Sequence, residues 1–236
     1  NVNLNGVPLP IEIPTGVILQ GNYDLLSEPN GSVLTIPDGS LISSTFRKNL
    51  YGSTVESFCV FKMNSGAPGL PTTIRNIRLQ GPTTNWIDYS NNNYLINLQS
   101  AGIYLNNTGS AGGFSITHCE IYGFSYAGIF SEPGTDHIQI DHCYIHHIKG
   151  FCEPGIGYAN WFQNNGVLTE VSVENNIYDD CKEAIDGQSG SQNWFINNCT
   201  MTQFLYGGIA RHNGRVSFQH PYTIDNTCYY YNRNVS

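Results

Sequence analysis

Short stretches in which apolar and polar residues alternate recur along the second half of the chain. The shared order is apolar, any residue, apolar, then two or three polar or small residues and another apolar one. The copies are FSITHCEIYGFSYAGIF (114–130), IQIDHCYIHHIKG (138–150), VSVENNIYDDCKEAIDG (171–187), WFINNCTMTQFLYGGIA (194–210) and the shorter YTIDNTCYYY (222–231). Alternation with a period of two predicts β-strands, and a repeat of 20–50 residues predicts a solenoid.

The chain resembles the right-handed parallel β-helix proteins, the broad pectate-lyase-like group, over roughly residues 70–236. Two earlier stretches, IEIPTGVILQGNYD (11–24) and IRNIRLQGP (74–82), look like the first coils of such proteins. The resemblance implies an all-β right-handed parallel β-helix in which each coil has three short strands. Repeats of this kind describe the geometry of a coil rather than its chemistry.

One structural domain is expected. Residues 1–60 would form an irregular N-terminal cap and the first strands, and residues 61–236 the coils, with a loop insertion at 149–165. The chain could be a segment of a longer protein. Open solenoid ends expose core and strand edges, so self-association through these ends is also expected.

The histidine-rich stretch HIQIDHCYIHHIKG (137–150) suggests a metal site, but the repeat explains most of it. One polar residue occupies the tight turn between the second and third strands of each coil, where a left-handed backbone favours asparagine. This column is His118, His142, Asn175, Asn198 and Asn226. Its neighbours Cys119, Cys143 and Cys199 are predicted to fill the interior. His146 and His147 are predicted to point to opposite faces of one strand.

The first sheet is the predicted binding surface, because substrate lies along it in the families that the chain resembles. Gly-Ile-like pairs mark this sheet, and their isoleucines Ile103, Ile129 and Ile185 are predicted to point inward. Alternation then turns Tyr104, Phe130 and Asp186 outward, with Arg211 and His212 close by. Two loops would wall this groove: the 149–165 insertion, with Glu153, Tyr158 and Trp161, and the 179–183 loop. Aromatic rings on such a wall stack on the apolar faces of sugars, although packing of the loop onto the coils is an equal alternative.

Two chemistries fit these residues. Asp186 with Asp179, Asp180 or Glu153 could act as acid and base on a glycosidic bond. Alternatively, Lys182, Arg211 or His212 could be the base of a β-eliminating lyase in which Ca²⁺ neutralises a uronate.

The motifs of the polygalacturonases are missing except for one Asp-Asp, in YDDC (178–181), so no catalytic role is transferred. A second column places Asp141 beside Glu174, where a calcium ion or a hydrated polar face would relieve the repulsion between the two carboxylates.

Composition and net charge bear on the partner and the location of the protein. Only 12% of the 236 residues are charged and the net charge is −8, which argues against nucleic acid as a partner. No apolar run approaches the length of a membrane span. Cys152 and Cys181 are predicted to lie in loops on the same side of successive coils. A disulfide between them would suit an extracellular or cell-surface location.

The expected function is therefore binding, and plausibly cleavage, of a polysaccharide. The rival is a structural or adhesive protein of the same fold, such as a filament, an adhesin or a viral fibre segment.

Overall fold

The fold is taken from a computed structural model. The residues it describes are 2–4, 6–27, 30–36, 56–67, 69–82, 98–108, 112–131, 135–148, 158–162, 171–181, 183–187, 194–204, 207–211, 223–224 and 229–232. These residues form strands, turns and bends and contain no helix, so none of them could cross a membrane as an apolar helix.

Within the described ranges, 22 strands lie in three parallel sheets. The first sheet contains β2 (Ile11–Ile13), β5 (Glu56–Asn64), β8 (Leu98–Asn106), β11 (Ala127–Ser131), β14 (Tyr158–Phe162), β17 (Glu183–Gly187) and β20 (Gly207–Arg211). The second contains β3 (Ile18–Gln20), β6 (Thr72–Arg75), β9 (Phe114–Thr117), β12 (Ile138–Asp141), β15 (Val171–Glu174), β18 (Trp194–Asn197) and β21 (Thr223–Ile224). The third contains β1 (Val2–Asn3), β4 (Val33–Thr35), β7 (Arg78–Gln80), β10 (Glu120–Tyr122), β13 (Tyr144–Ile148), β16 (Ile177–Cys181), β19 (Thr200–Phe204) and β22 (Tyr229–Asn232).

From β2 onward the chain visits the first, second and third sheets in strict rotation. Each strand pairs in parallel with the strand three elements further on. This is a parallel β-helix with three short strands per coil: the repeat predicts a solenoid, and the resemblance implies three strands in each coil. The strand β14 occupies the later part of the segment 149–165, so residues 158–162 form a rung of the first sheet.

The core consists of apolar columns that run along the helix axis. In the second sheet Ile116 pairs with Ile140, and Ile140 with Val173, and all three side chains are fully buried. Equivalent residues of neighbouring parallel strands lie about 4.8 Å apart, so like side chains stack directly on one another. The alternation seen in the sequence therefore becomes a continuous core.

The tight turns between the second and third sheets confirm the predicted left-handed column. The φ angle is 53° at His118, 50° at His142, 54° at Asn175 and 48° at Asn198. The His118 and His142 rings stack with centroids 4.8 Å apart. Asn198 donates a hydrogen bond from Nδ2 to Oδ1 of Asn175 (2.7 Å), so the asparagines also form a ladder. Asn226 lies outside the described residues.

The next column fills the interior, as predicted, with Cys119, Cys143 and Cys199 fully buried. Asn176 occupies the same position in the coil between Cys143 and Cys199. Its amide is satisfied because Nδ2 donates to the carbonyl of Ile140 (2.9 Å) and Oδ1 accepts from the backbone N–H of Cys143 (2.7 Å). A buried polar side chain is tolerated here because both of its ends are hydrogen-bonded.

Candidate functional site

The first sheet contains several of the residues predicted to bind or cleave a substrate. The pairing places Lys62, Tyr104, Phe130, Trp161 and Asp186 in one column on successive strands. Trp161 is thus a member of the sheet, between Phe130 and Asp186. The backbone of Arg211 ends β20 one position beyond this column. The register unites residues that the sequence separates by up to 124 positions.

The two described aromatic rings of this column are buried. Phe130 is 0% and Tyr104 8% exposed, and their rings stack with centroids 5.5 Å apart. They belong to a second apolar cluster outside the core, together with Cys59, Ala101, Tyr126 and Ala127. Alternation correctly turned Tyr104 and Phe130 outward, but outward does not mean exposed here. Both rings pack against protein and present almost no surface to a sugar.

The remaining predicted residues of this groove are placed only in part. Tyr158 begins β14, where it pairs with Ala127 and Glu183. Glu153, Lys182 and His212 lie outside the described residues. Their roles stay predictions.

The predicted pair on the second sheet, Asp141 and Glu174, lies in register on neighbouring strands. Each carboxylate is hydrogen-bonded within the protein. Asp141 Oδ1 accepts from Asn175 Nδ2 (2.9 Å), and Glu174 Oε1 accepts from Ser172 Oγ (2.6 Å). The described part of the chain contains no group of three histidine, cysteine or acidic residues placed to hold a metal ion. A calcium ion stays a prediction that would need ligands from elsewhere.

The outer face of the third sheet holds a group of charged and titratable side chains that the sequence did not reveal. We call Arg78, Glu120, His146, His147 and Asp180 the third-sheet cluster. Arg78 Nε donates to Glu120 Oε2, and Glu120 Oε1 lies 3.2 Å from His146 Nε2. The Nδ1 atoms of His146 and His147 are 2.5 Å apart, and His147 Nε2 is 3.6 Å from Asp180 Oδ2.

A local change of backbone brings the two histidines together. His147 has a φ of 58°, and Asp180, at the same place on the next strand, has a φ of 50°. A left-handed residue interrupts the alternation of side chains, so the prediction that His146 and His147 face opposite sides was wrong. Asp179 and Asp180 were expected in the 179–183 loop beside the first sheet, but both lie in β16 of the third sheet.

Burial and charge set the protonation of the cluster. The Glu120 and His146 side chains are each 10% exposed. Burial alone raises the pKa of the Glu120 carboxyl, but hydrogen bonds from His146 and Arg78 outweigh it, so that this pKa lies below its ordinary value. The hydrogen bond to Glu120 raises the pKa of Arg78. Glu120 is therefore an anion at neutral pH that holds one cation and one imidazole.

Two tyrosines flank the buried histidine. The Tyr122 ring stacks on the His146 ring with centroids 4.8 Å apart, and the Tyr144 ring lies at 4.1 Å. Both tyrosines are half-buried, so part of each remains open to solvent. Amphipathic rings beside polar groups are the usual components of a sugar-binding surface.

One signal in the sequence could have located the cluster. The doublets His146-His147 and Asp179-Asp180 occupy the same place in two successive copies of the repeat, and the structure stacks His146 on Asp179. A doublet of ionisable residues in one strand is unusual, because strict alternation would bury one of the two. Comparing the copies column by column would have indicated a bulge with paired charges.

The structure describes one of the two cysteines of the predicted disulfide. Cys181 was expected in a loop, but it ends β16 and is buried, with its thiol 3.7 Å from the carbonyl of Ile145. Cys152 lies outside the described residues, so the bridge between the two stays a prediction.

Comparison with known proteins gives no match: no family model, no curated protein and no solved structure matches this chain. The solenoid architecture is shown by the three parallel sheets. The more specific likeness to the pectate-lyase-like group stays a prediction.

Proposed function

We propose that this protein binds a polysaccharide along the outer face of its third sheet and cleaves it by proton transfer from the third-sheet cluster. The observation that carries the proposal is the unbroken series of contacts from Arg78 through Glu120 and His146 to His147 and Asp180. Cleavage of a glycosidic bond needs a proton donor for the leaving oxygen and a carboxylate near the sugar carbon. Histidine and aspartate supply these two groups.

The charge on this face favours a neutral glycan over a polyuronate. Three carboxylates, Glu120, Asp179 and Asp180, face one described arginine, Arg78, which is already bound to Glu120. A polyanion would be repelled by the surplus of negative charge unless a cation intervened. A sugar without charge would instead stack on the exposed parts of Tyr122 and Tyr144.

The test is an activity screen on the full chain with neutral and uronate-containing polysaccharides, each with Ca²⁺ and with EDTA. New reducing ends measure hydrolysis, and new absorbance near about 235 nm measures the unsaturated product of elimination. We expect reducing ends from a neutral glycan, unchanged by EDTA. Absorbance that EDTA abolishes would favour the calcium-dependent lyase predicted from the sequence.

Two variants link activity to the cluster. Glu120→Gln and Asp180→Asn should each lose most of the activity, because each removes a charge that touches a histidine. Glu12→Gln is the matched control, since Glu12 is an exposed carboxylate on the first coil that pairs only with Lys62 among the contacts described. Equal activity in all three variants would contradict the proposed location of the site.

A structural role is the second candidate, and a specific observation favours it. Val2, Ile18 and Leu26 are exposed, and they lie on the first coil. The strands β1, β2 and β3 stand at the open edges of their sheets in the described structure. Apolar side chains beside open edges support end-to-end association of two copies. Sedimentation over a range of concentrations tests this, and Ile18→Lys should abolish any association that is seen.

A further inference from the structure

Gln80 and Tyr122 form a polar pair directly beside the third-sheet cluster. The two residues are in register on β7 and β10, and the same column continues to His146 on β13 and Asp179 on β16. Neighbouring parallel strands lie about 4.8 Å apart, so Tyr122 is one coil and Gln80 two coils from His146. A glycan that is bound at the cluster and runs toward the first coils passes over this pair.

The pair has hydrogen-bonding groups that the described part of the protein does not use. Tyr122 Oη donates to Gln80 Oε1 at 3.1 Å, and the two side chains make no other hydrogen bond with the described residues. Both side chains are half-buried. Neither has a polar atom that is both buried and unpaired, so the unused groups reach solvent.

The unused groups include a donor and an acceptor, whichever way the Gln80 amide is turned. With Oε1 bound to Tyr122, the amide Nε2 offers its N–H groups, and the phenolic oxygen keeps lone pairs that accept. With the amide turned over, Nε2 donates to Tyr122, whose O–H becomes the available donor, and Oε1 becomes the available acceptor. A donor beside an acceptor matches two neighbouring hydroxyl groups of a sugar, because each hydroxyl can both donate and accept.

We propose that Gln80 and Tyr122 form a binding subsite for two neighbouring hydroxyl groups of the sugar next to the one at the third-sheet cluster. The subsite rests on the proposed function for the class of its ligand. Its two residues select the glycan by contact and take no part in the transfer of protons. A sugar that lacks one of these hydroxyls leaves a group of the pair without its partner and binds less tightly.

The asparagines of the turn column show what a purely structural amide does in this protein. Asn175 uses both ends of its amide inside the protein, because Nδ2 donates to Asp141 and Oδ1 accepts from Asn198. Gln80 uses one end only, on Tyr122. Stabilisation of the stack therefore accounts for one end of the Gln80 amide, and the other end is available to a ligand.

Packing holds the Tyr122 hydroxyl in place before a ligand binds. The Tyr122 and His146 rings are nearly parallel, with 6° between their planes and centroids 4.8 Å apart. Burial raises the pKa of Tyr122, so its phenol keeps the proton at neutral pH. A donor that is already fixed loses less conformational entropy when it binds a ligand.

Isothermal titration calorimetry on the full chain tests the subsite, with cellotetraose, mannotetraose, xylotetraose and maltotetraose as probes. Gln80→Leu and Tyr122→Phe should each raise the Kd of the probe that the wild type binds by about 2–12-fold, which corresponds to one hydrogen bond. Gln139→Leu is the matched control, because Gln139 is an exposed glutamine on the second sheet. An unchanged Kd in both Gln80→Leu and Tyr122→Phe would overturn the subsite.

Monodeoxy analogues of the bound probe separate direct contact from an effect on the fold. For the wild type, removal of either hydroxyl should raise the Kd by the same factor of about 2–12. In a variant that lacks the protein group facing that hydroxyl, its removal should change the Kd no further. Equal increases in the wild type and in both variants would overturn direct contact with the pair.

Cleavage of the same probes separates this inference from the proposed function. Cleavage by the wild type, with a KM that neither Gln80→Leu nor Tyr122→Phe changes, would overturn the subsite alone. Binding that depends on the pair, without cleavage, would support the subsite and overturn the catalytic part of the proposed function. The absence of both binding and cleavage would overturn the two proposals together.

Discussion

At Asn175, in the left-handed turn column, glycine should be a more stable replacement than alanine. Its φ of 54° is easy for glycine and costs an L-residue such as alanine about 1–2 kcal/mol. The greater chain entropy of unfolded glycine, about 0.5–1 kcal/mol, offsets part of this difference. Asn175→Gly should therefore be more stable than Asn175→Ala by about 1 kcal/mol. At most strand positions the order is the opposite.

The side-chain contribution is the same in both variants, so it cancels from their difference. Each loses the hydrogen bond from Asn175 Nδ2 to Asp141 and the one that Asn175 Oδ1 accepts from Asn198. At about 0.5–1.5 kcal/mol each, and toward the low end for partly exposed groups, these bonds contribute about 1–2 kcal/mol. Asn175→Gly should thus lose about 1–2 kcal/mol relative to the wild type, and Asn175→Ala about 2–3 kcal/mol.

Urea denaturation followed by circular dichroism measures the difference. For an m-value of about 2–3 kcal/mol/M, 1 kcal/mol moves the midpoint by about 0.3–0.5 M. Ser172 provides the control, because it lies in the extended strand β15 three residues earlier and has no positive φ. There Ser172→Ala should be more stable than Ser172→Gly by about 0.5–1 kcal/mol. If alanine is the better residue at both positions, backbone conformation does not explain the polar column.

Three further predictions test the core, the cluster and the cysteines. Gly128→Ala should destabilise the protein by about 1–3 kcal/mol in urea denaturation, because an added Cβ would lie 2.7 Å from the carbonyl oxygen of Ala159. An unchanged midpoint would contradict this close approach. Glu120 has a lowered pKa in the folded state, so the stability that its carboxylate contributes is present above the unfolded pKa near 4.5 and is lost as the pH falls through the folded pKa. Thermal melts should therefore show the wild type losing more stability than Glu120→Gln between pH 7 and pH 3. Parallel curves for the two proteins would refute this linkage. Cys119, Cys143 and Cys199 are buried, and burial raises the pKa of the Cys143 thiol well above its ordinary value. A thiol reagent should therefore modify these cysteines only after the protein is unfolded in urea. Rapid reaction of the native protein would show that the cysteine column is accessible to solvent.

Much of the fold could be predicted from the sequence because each coil obeys a local rule. Alternation placed Ile103, Ile129 and Ile185 inside, and all three are buried. The preference of asparagine for a left-handed backbone located the turn column, whose positive φ angles confirm it. Both rules depend only on residues that are close together in the chain, and they apply again in each coil.

The exposure of the first sheet could not be predicted by the same rules. Tyr104 and Phe130 turn outward as alternation requires, yet both are buried in a second apolar cluster that includes Tyr126. The Tyr126 ring packs edge-on against Phe130 with centroids 5.7 Å apart, and alternation alone does not predict such a contact. An outward position on a solenoid is therefore only a candidate for binding until its exposure is known.

The third-sheet cluster was missed for a more instructive reason. His147, and Asp180 at the same place in the next coil, have a left-handed backbone that breaks the alternation. The side chain at each break therefore points to the same face as the residue before it. Two adjacent ionisable residues then share one face, which strict alternation never permits. In this architecture the interior is occupied by core and most outer positions by evenly spaced side chains. Two adjacent residues of one strand can share a face only where the backbone departs from the repeat, so aligned doublets such as His146-His147 over Asp179-Asp180 are good places to search.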